Sequence, residues 1–367
     1  MQNTSIFQTP IRKQKPKLIN SIIALGNPIV DFSAEIEESD IQKYGLKKGE
    51  VAFVTNENKG FYSEIEQKLQ VFSTIGGSAL NILRAISWGL KNNNMDLSAE
   101  KKISMLGCVG NDILKNKIIN TLQQCNINTN LLEQVDMGTS RCAVGICNNR
   151  DRYFLSEILA SRNLSSNFIQ NHWNEIISHD ALLIEGYFIK ENFELCSNVC
   201  DAFINQGKYI ILTLSDPLMI ESYRENIITI AKKADMVVGS LNAAKKLVEE
   251  NNNNINIDIL FQKIYAILND QNYKSRILII TAANHGVFCS KYDQVTKTEE
   301  HFQTFPSQIN NRDIVDFNGA GDAFLGGFIS QQMQNKTFEE CCILGNKAAA
   351  VVIKNIGCNF QNSIIRN

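Results

Sequence analysis

From residue 181 onward, short apolar runs alternate with longer segments of helical patterning, and this alternation limits the fold most tightly. The runs are residues 181–184, 209–214, 236–238 and 276–281. Strands that alternate with helices build a parallel sheet covered on both faces by the helices between them. The connections of such a sheet are right-handed. Two earlier runs, 22–25 and 103–106, end in glycine-containing loops, Gly26-Asn27-Pro28 and Gly107-Cys108-Val109-Gly110-Asn111-Asp112. Each reads as a strand delivering a loop. Residues 142–147 and 153–159 read as a strand pair across a turn containing 148–151. The fold class expected is α/β with a mostly parallel central sheet.

Composition narrows the partners. The chain has 367 residues, 44% of them hydrophobic and 20% charged, enough to bury a full core. Lys plus Arg total 36 against 38 Asp plus Glu, a net charge of −2, so no broad positive field exists to hold nucleic acid. No stretch approaches the ~18–20 apolar residues of a spanning helix, and no membrane partner is expected. Residues 1–20 are polar, with Arg12, Lys13, Lys15 and Lys17, and lack the apolar core of a secretory signal. They read as a solvated extension. The cytoplasm is the compartment expected, with the nucleus a further one. The 10 cysteines are dispersed with no CxxC pair, and the four histidines form no HExxH, so free buried thiols and no metal ligands are expected. Asn92–Asn94 and Asn251–Asn254 read as surface loops.

Two short stretches carry chemistry. Thr74-Ile75-Gly76-Gly77-Ser78 is followed by Leu80, Ile82, Leu83, Ile86 and Leu90 at helical spacing, so a glycine loop opens a helix over 79–90. The first amides of a helix lack internal partners and suit polar ligands. The second stretch is Asp316-Phe317-Asn318-Gly319-Ala320-Gly321-Asp322-Ala323-Phe324. Gly319, Ala320 and Gly321 leave backbone N–H groups free to close on an anion, and the helix that follows adds positive potential. Asp322 falls in its first turn. A carboxylate beside an anion hole can orient or deprotonate a hydroxyl that attacks a phosphoryl group. The plainer reading makes Gly-Ala-Gly a tight turn and Asp322 an N-cap.

The second string resembles the carboxyl-terminal signature of the ribokinase-like (PfkB) carbohydrate and nucleoside kinases, and Gly76-Gly77-Ser78-Ala79-Leu80-Asn81 resembles its partner motif. Within that family the chain resembles the adenosine kinases over about residues 20–361, through residues 24–31, the loop 107–112, Asn318, Leu214-Ser215-x-Pro217 and Gly357-Cys358-x-Phe360. The resemblance implies a three-layer sandwich whose large domain takes 21–29, 75–137 and 163–367. A small β lid would come from 30–74 and 138–162. It implies ATP-dependent phosphorylation of the adenosine 5′-hydroxyl, giving AMP and ADP in purine salvage, by a monomer. Asp31 would grip the ribose hydroxyls, with Asn27, Gly76, Gly77, Ser78 and Asn81 completing a polar pocket. Ile29, Cys142, Leu159 and Phe188 are placed as apolar walls, or equally as core. Arg152 would reach the transferring phosphoryl group, unless Arg150 is its counterpart. Asp322 would be the general base, and the Gly319, Ala320 and Gly321 amides the anion hole. Thr281, Asn318, Asn346 and Gly357 would lie on the nucleotide side. Magnesium would be held by the nucleotide phosphates and water, with no protein ligand.

Departures from the family pattern cluster on the nucleotide side. Asn-x-x-Glu after the 236–238 run is here Ser240-Leu241-Asn242-Ala243, so the residue that orders magnesium and its waters is missing. Thr-x-Gly is Thr281-Ala282-Ala283, which puts a methyl group where glycine allows φ > 0. A Thr-Gly pair is Thr139-Ser140, followed by Arg141; an asparagine is Glu157; and a position often histidine is Asn346. Three readings therefore stand: an adenosine kinase, a kinase of another nucleoside or sugar, and a weakened or inactive relative that binds a nucleoside or serves as a subunit of a larger assembly.

Overall fold

The computed structural model describes residues 19–92, 101–147, 151–252, 255–268, 275–294, 296–307 and 309–360. The basic residues of the first 18, Asn93, Asn94, Arg150, Asn253 and Asn254 lie outside the described residues. The strands are β1 (Ser21–Leu25), β2 (Ile29–Glu35), β3 (Val51–Phe53), β4 (Phe72–Gly76), β5 (Lys102–Gly110), β6 (Leu132–Val135) and β7 (Arg141–Cys147). They continue with β8 (Asp151–Glu157), β9 (Ala181–Glu185), β10 (Tyr209–Thr213), β11 (Met236–Ser240), β12 (Arg276–Thr281), β13 (Val287–Asp293) and β14 (Thr298–Thr304). The helices are α1 (Glu38–Gln42), α2 (Gly60–Glu66), α3 (Ser78–Asn92), α4 (Ile113–Gln124), α5 (Ser166–Ser178) and α6 (Gly186–Asn205). After them come α7 (Pro217–Lys233), α8 (Leu241–Leu247), α9 (Ile257–Leu268), α10 (Ala320–Gln332) and α11 (Phe338–Val352).

The main sheet has nine strands in the order β14-β13-β12-β11-β10-β9-β1-β5-β6. From β12 to β6 every pairing is parallel; β13 and β14 add an antiparallel edge. The strands β1, β9, β10 and β11 are mostly apolar because both faces are covered. The period of two sorts their side chains. Ile22, Ala24, Met105, Leu183, Ile211 and Val238 join one core, closed by α3, α4, α10 and α11. Ile23, Leu25, Leu182, Ile184, Leu212 and Val237 join the other, closed by α5 to α9. The α/β class expected from the alternation is the class observed, with helices on both sides. Nine of the ten cysteines are buried, and no helix among the described residues is long and apolar enough to cross a membrane.

A second sheet of five strands, ordered β3-β8-β7-β2-β4, has its own small core with α1 and α2 around Phe61, Ile65, Ala143 and Leu155. Its strands span 29–76 and 141–157. The chain enters it through Gly26-Asn27-Pro28 and leaves it at Gly76-Gly77, so both polar loops lie where the two sheets meet.

Candidate active site

In an open α/β sheet, ligands bind beyond the carboxyl ends of the strands, where the winding reverses. Here β1 lies between β5 and β9, and the later strands β9 to β12 wind away from β5 and β6. A cleft of about 1060 Å³ opens above that point. Its floor carries the strand ends Asn27, Glu185, Thr213, Ser215, Ser240 and Thr281. The second sheet contributes Ile29, Asp31, Val51, Phe53, Cys142, Phe154 and Ser156.

Asp322 reaches this cleft from the first turn of α10. It is no N-cap: Gly319 holds that place in a left-handed conformation, φ +77°, with the polypeptide turning into the helix there. The carboxylate instead takes hydrogen bonds from the first two turns of α3. Ser78 Oγ donates to Oδ1 at 2.6 Å and Asn81 Nδ2 donates to Oδ2 at 2.9 Å. Desolvation pushes the Asp322 pKa up to about 6, and these two donors hold it down against that. At neutral pH it is therefore ionised and close to the range where a base both exists and accepts protons readily. A Cβ added to Gly321 would meet nothing within 4 Å, which leaves the helix start open to an incoming group.

Asp31 lies on β2 in the same cleft, over Gly76, where a Cβ would fall 2.4 Å from the carboxylate. Its pKa is pushed up to about 7, first by burial and then by the nearby Asp316 and Asp322, with Arg84 opposing. Gly77 has φ +99°, and a Cβ there would lie 2.2 Å from the Asn27 carbonyl oxygen. Only glycine lets the two loops close this way.

Of the residues singled out by sequence, the cleft gathers Asn27, Asp31, Gly77, Ser78, Asn81, Cys142, Thr281, Asn318, Gly319, Gly321 and Asp322. Gly76 lies directly beneath Asp31. Ala320 begins α10 but does not line the cleft. Others lie elsewhere. Phe188 is fully buried in the core beneath α6, and Tyr187, one residue earlier, faces the cleft. Ile158, in place of Leu159, lines it. Asn346 donates to Thr304 Oγ1 and the Phe305 carbonyl, both at 2.9 Å, outside the cleft lining. Gly357 (φ +64°) donates its N–H to Asp316 Oδ2 at 3.0 Å, so it braces the loop before α10. Arg152 is buried away from the cleft: its Nε is 3.1 Å from Asp316 Oδ1 and its Nη2 donates to the Val315 carbonyl. The carboxylate of Asp316 draws it there.

Sequence reasoning missed three buried charges. Asp316 opens the Asp-x-x-Gly-Ala-Gly-Asp string and also accepts from the Asn318 N–H at 2.9 Å, so it folds the loop before α10. Glu185 stands at the end of a wholly apolar strand, and that abrupt carboxylate was the signal. Arg84 lies one turn beyond Asn81 on α3 and is buried, with Nε and Nη1 making no hydrogen bond.

The altered nucleotide-side motifs also have a physical account. Ser240 caps α8, accepting from the Ala243 N–H at 3.1 Å, so the capping part of Asn-x-x-Glu survives. Ala243 is fully buried and the carboxylate is gone. Among the described residues no group of three or more His, Cys, Asp or Glu could hold a metal ion. The residues present fit a phosphoryl group at the α10 terminus and do not fit a metal caged by protein.

The fold thus brings an acid at the start of a glycine-opened helix and a second acid into one cleft. A sequence profile described as "pfkB family carbohydrate kinase" matches residues 39–365, and the chain belongs to that family. It is 24% identical over 342 residues to a Schizosaccharomyces pombe protein named adenosine kinase, covering 92% of this chain and 95% of that one. Among solved structures it is similar to adenosine kinase from Schistosoma mansoni in complex with 2-fluoroadenosine, with a TM-score of 0.81, 22% identity, and 94% and 98% of the two chains covered. It is also similar to Anopheles gambiae adenosine kinase in complex with P1,P4-di(adenosine-5) tetraphosphate, with a TM-score of 0.79, 24% identity, and 92% and 96% covered.

Proposed function

We propose that the chain transfers the γ-phosphoryl group of ATP to the 5′-hydroxyl of adenosine. The observation that carries this reading is Asp322, held by Ser78 and Asn81 at the open start of α10, facing the same cleft as Asp31. The names of the relatives supply the nucleoside. Asp31 accepts from the two vicinal ribose hydroxyls, since one carboxylate has lone pairs for both. Asn27 and Asn81 lie beside it. Asp322 takes the 5′-hydroxyl proton as that oxygen attacks phosphorus. The amides at Gly319 to Gly321 and the α10 dipole stabilise the charge that develops on the transferring group. ATP with magnesium would supply that group, the metal being held by phosphate oxygens and water rather than by protein side chains. The five-stranded sheet acts as the lid that excludes water over the nucleoside.

An acceptor panel tests the substrate. Adenosine, inosine, guanosine and ribose are each offered with ATP and magnesium, and product is separated by chromatography. AMP from adenosine in clear excess over the other products supports the reading; preferential turnover of guanosine or ribose overturns it. Ala243 favours a second reading, a nucleoside-binding protein with attenuated transfer. Calorimetric binding of adenosine with no product from any acceptor would select it.

A further inference from the structure

The carboxylate of Glu185 is 1% exposed at the end of β9, and each of its oxygens serves a different segment. Oε1 accepts the Asn27 N–H at 2.6 Å, from the loop that follows β1. Oε2 accepts the Ala79 N–H at 2.7 Å, from the first turn of α3. A Cβ on Gly26 would lie 2.8 Å from this carboxylate, so the loop packs directly onto it. The two residues it grips are adjacent to the chemistry. Ala79 lies between Gly77, which meets the Asn27 carbonyl, and Asn81, which with Ser78 holds both oxygens of Asp322.

We propose that Glu185 is a positioning residue for phosphoryl transfer: one carboxylate fixes the substrate loop and the α3 terminus in a single register, and so fixes the base. The inference rests on the kinase reading above for its catalytic consequence, and on geometry alone for its structural one. Glu185 acts through the two backbone donors it holds, one on each oxygen. The two N–H groups need an acceptor at each end, and a carboxylate supplies both in that span; burial pushes the Glu185 pKa up to about 7, and the two backbone donors hold it down against that. The start of α3 adds favourable potential for the charge. An amide would satisfy one donor and turn an NH2 group on the other.

The test uses the full chain and Glu185→Gln, with Glu185→Asp as the conservative variant. Steady-state kinetics with adenosine and ATP are measured together with amide hydrogen exchange at Asn27 and Ala79. In Glu185→Gln, kcat/KM falls by about 10²-fold, as a misplacement near 1 Å does, with kcat lowered and the adenosine KM raised. Exchange quickens at Asn27 or Ala79, while the amides of β10 and β11 stay protected. Glu185→Asp keeps the charge and recovers part of kcat. A folded Glu185→Gln protein with wild-type kcat, KM and exchange overturns the proposal. A wild-type chain with no turnover of adenosine counts against the kinase reading alone. The exchange comparison then decides: local loss of protection upholds the tie, and unchanged protection overturns it.

Discussion

At Ala283 the backbone stands at φ +48°, in the left-handed region. An L-residue with a Cβ costs about 1–2 kcal/mol there, and glycine avoids this at the expense of freedom in the unfolded chain. Ala283→Gly should therefore stabilise the fold by roughly 0.5–1 kcal/mol, seen as a higher urea midpoint at unchanged m-value. The sequence exposed this position, since Thr281-Ala282-Ala283 stands where a glycine is usual. Asp322 sets a second expectation. With its pKa pushed up to about 6 in the protein without substrate, kcat/KM should fall tenfold per pH unit below that value, as the base is protonated. The same shift has a stability sign. The folded state binds this proton more tightly than the unfolded chain does, so ionising Asp322 costs stability above about pH 6. Asp322→Asn should melt at higher temperature than wild type near pH 8, and the gap should close as the pH falls towards about 4, where both chains are neutral at this position. Melting curves across that range check it. Asp322 was legible in sequence because small residues and an acid form a continuous string. Glu185 and Asp316 bind backbone N–H groups 158 and 41 residues away, and no local pattern records such partners.

Arg141 and Glu157, two departures from the family pattern, prove to be one feature at the level of the strand pair. They are register partners across the antiparallel β7–β8 pair, with Nε to Oε2 at 2.7 Å. Opposite charges placed directly across such a pair contribute about 0.2–1 kcal/mol, and like charges there repel. Arg141→Glu and Glu157→Arg should each lower stability, and the double exchange should recover most of the loss. A double-mutant cycle by denaturant unfolding measures this. The sequence supplied both strands through their apolar runs, while their register depends on tertiary pairing. Strands β9 to β12 were legible for a different reason: sheets covered on both faces leave uninterrupted apolar runs. Wall residues were not. The direction of one side chain separates Tyr187, in the cleft, from Phe188, in the core.

At the scale of the whole molecule, a buried ion pair ties the five-stranded sheet to the loop before α10, Arg152 on β8 with Asp316. Both side chains are almost wholly enclosed, at 7% and 4% exposure, so removing one partner strands the other charge. Such a loss costs about 3–5 kcal/mol, whereas replacing both by apolar groups is often tolerated. Arg152→Met and Asp316→Leu should each destabilise more than the double variant, as calorimetric melting would show. The layered fold could be read from the order of strands and helices, because that order alone fixes a covered parallel sheet. The position of Arg152 could not, because it depends on how the two sheets close. The proposed role of Asp322 is to take the proton of the 5′-hydroxyl as the phosphoryl group passes to adenosine. Its most direct test offers adenosine and γ-labelled ATP with magnesium to the wild-type chain and to Asp322→Asn, side by side. Labelled AMP is expected from the wild type and a loss of about 10²–10⁴-fold in the variant, with adenosine binding retained. Equal labelling by both proteins, or none by a wild type that binds adenosine, would contradict it.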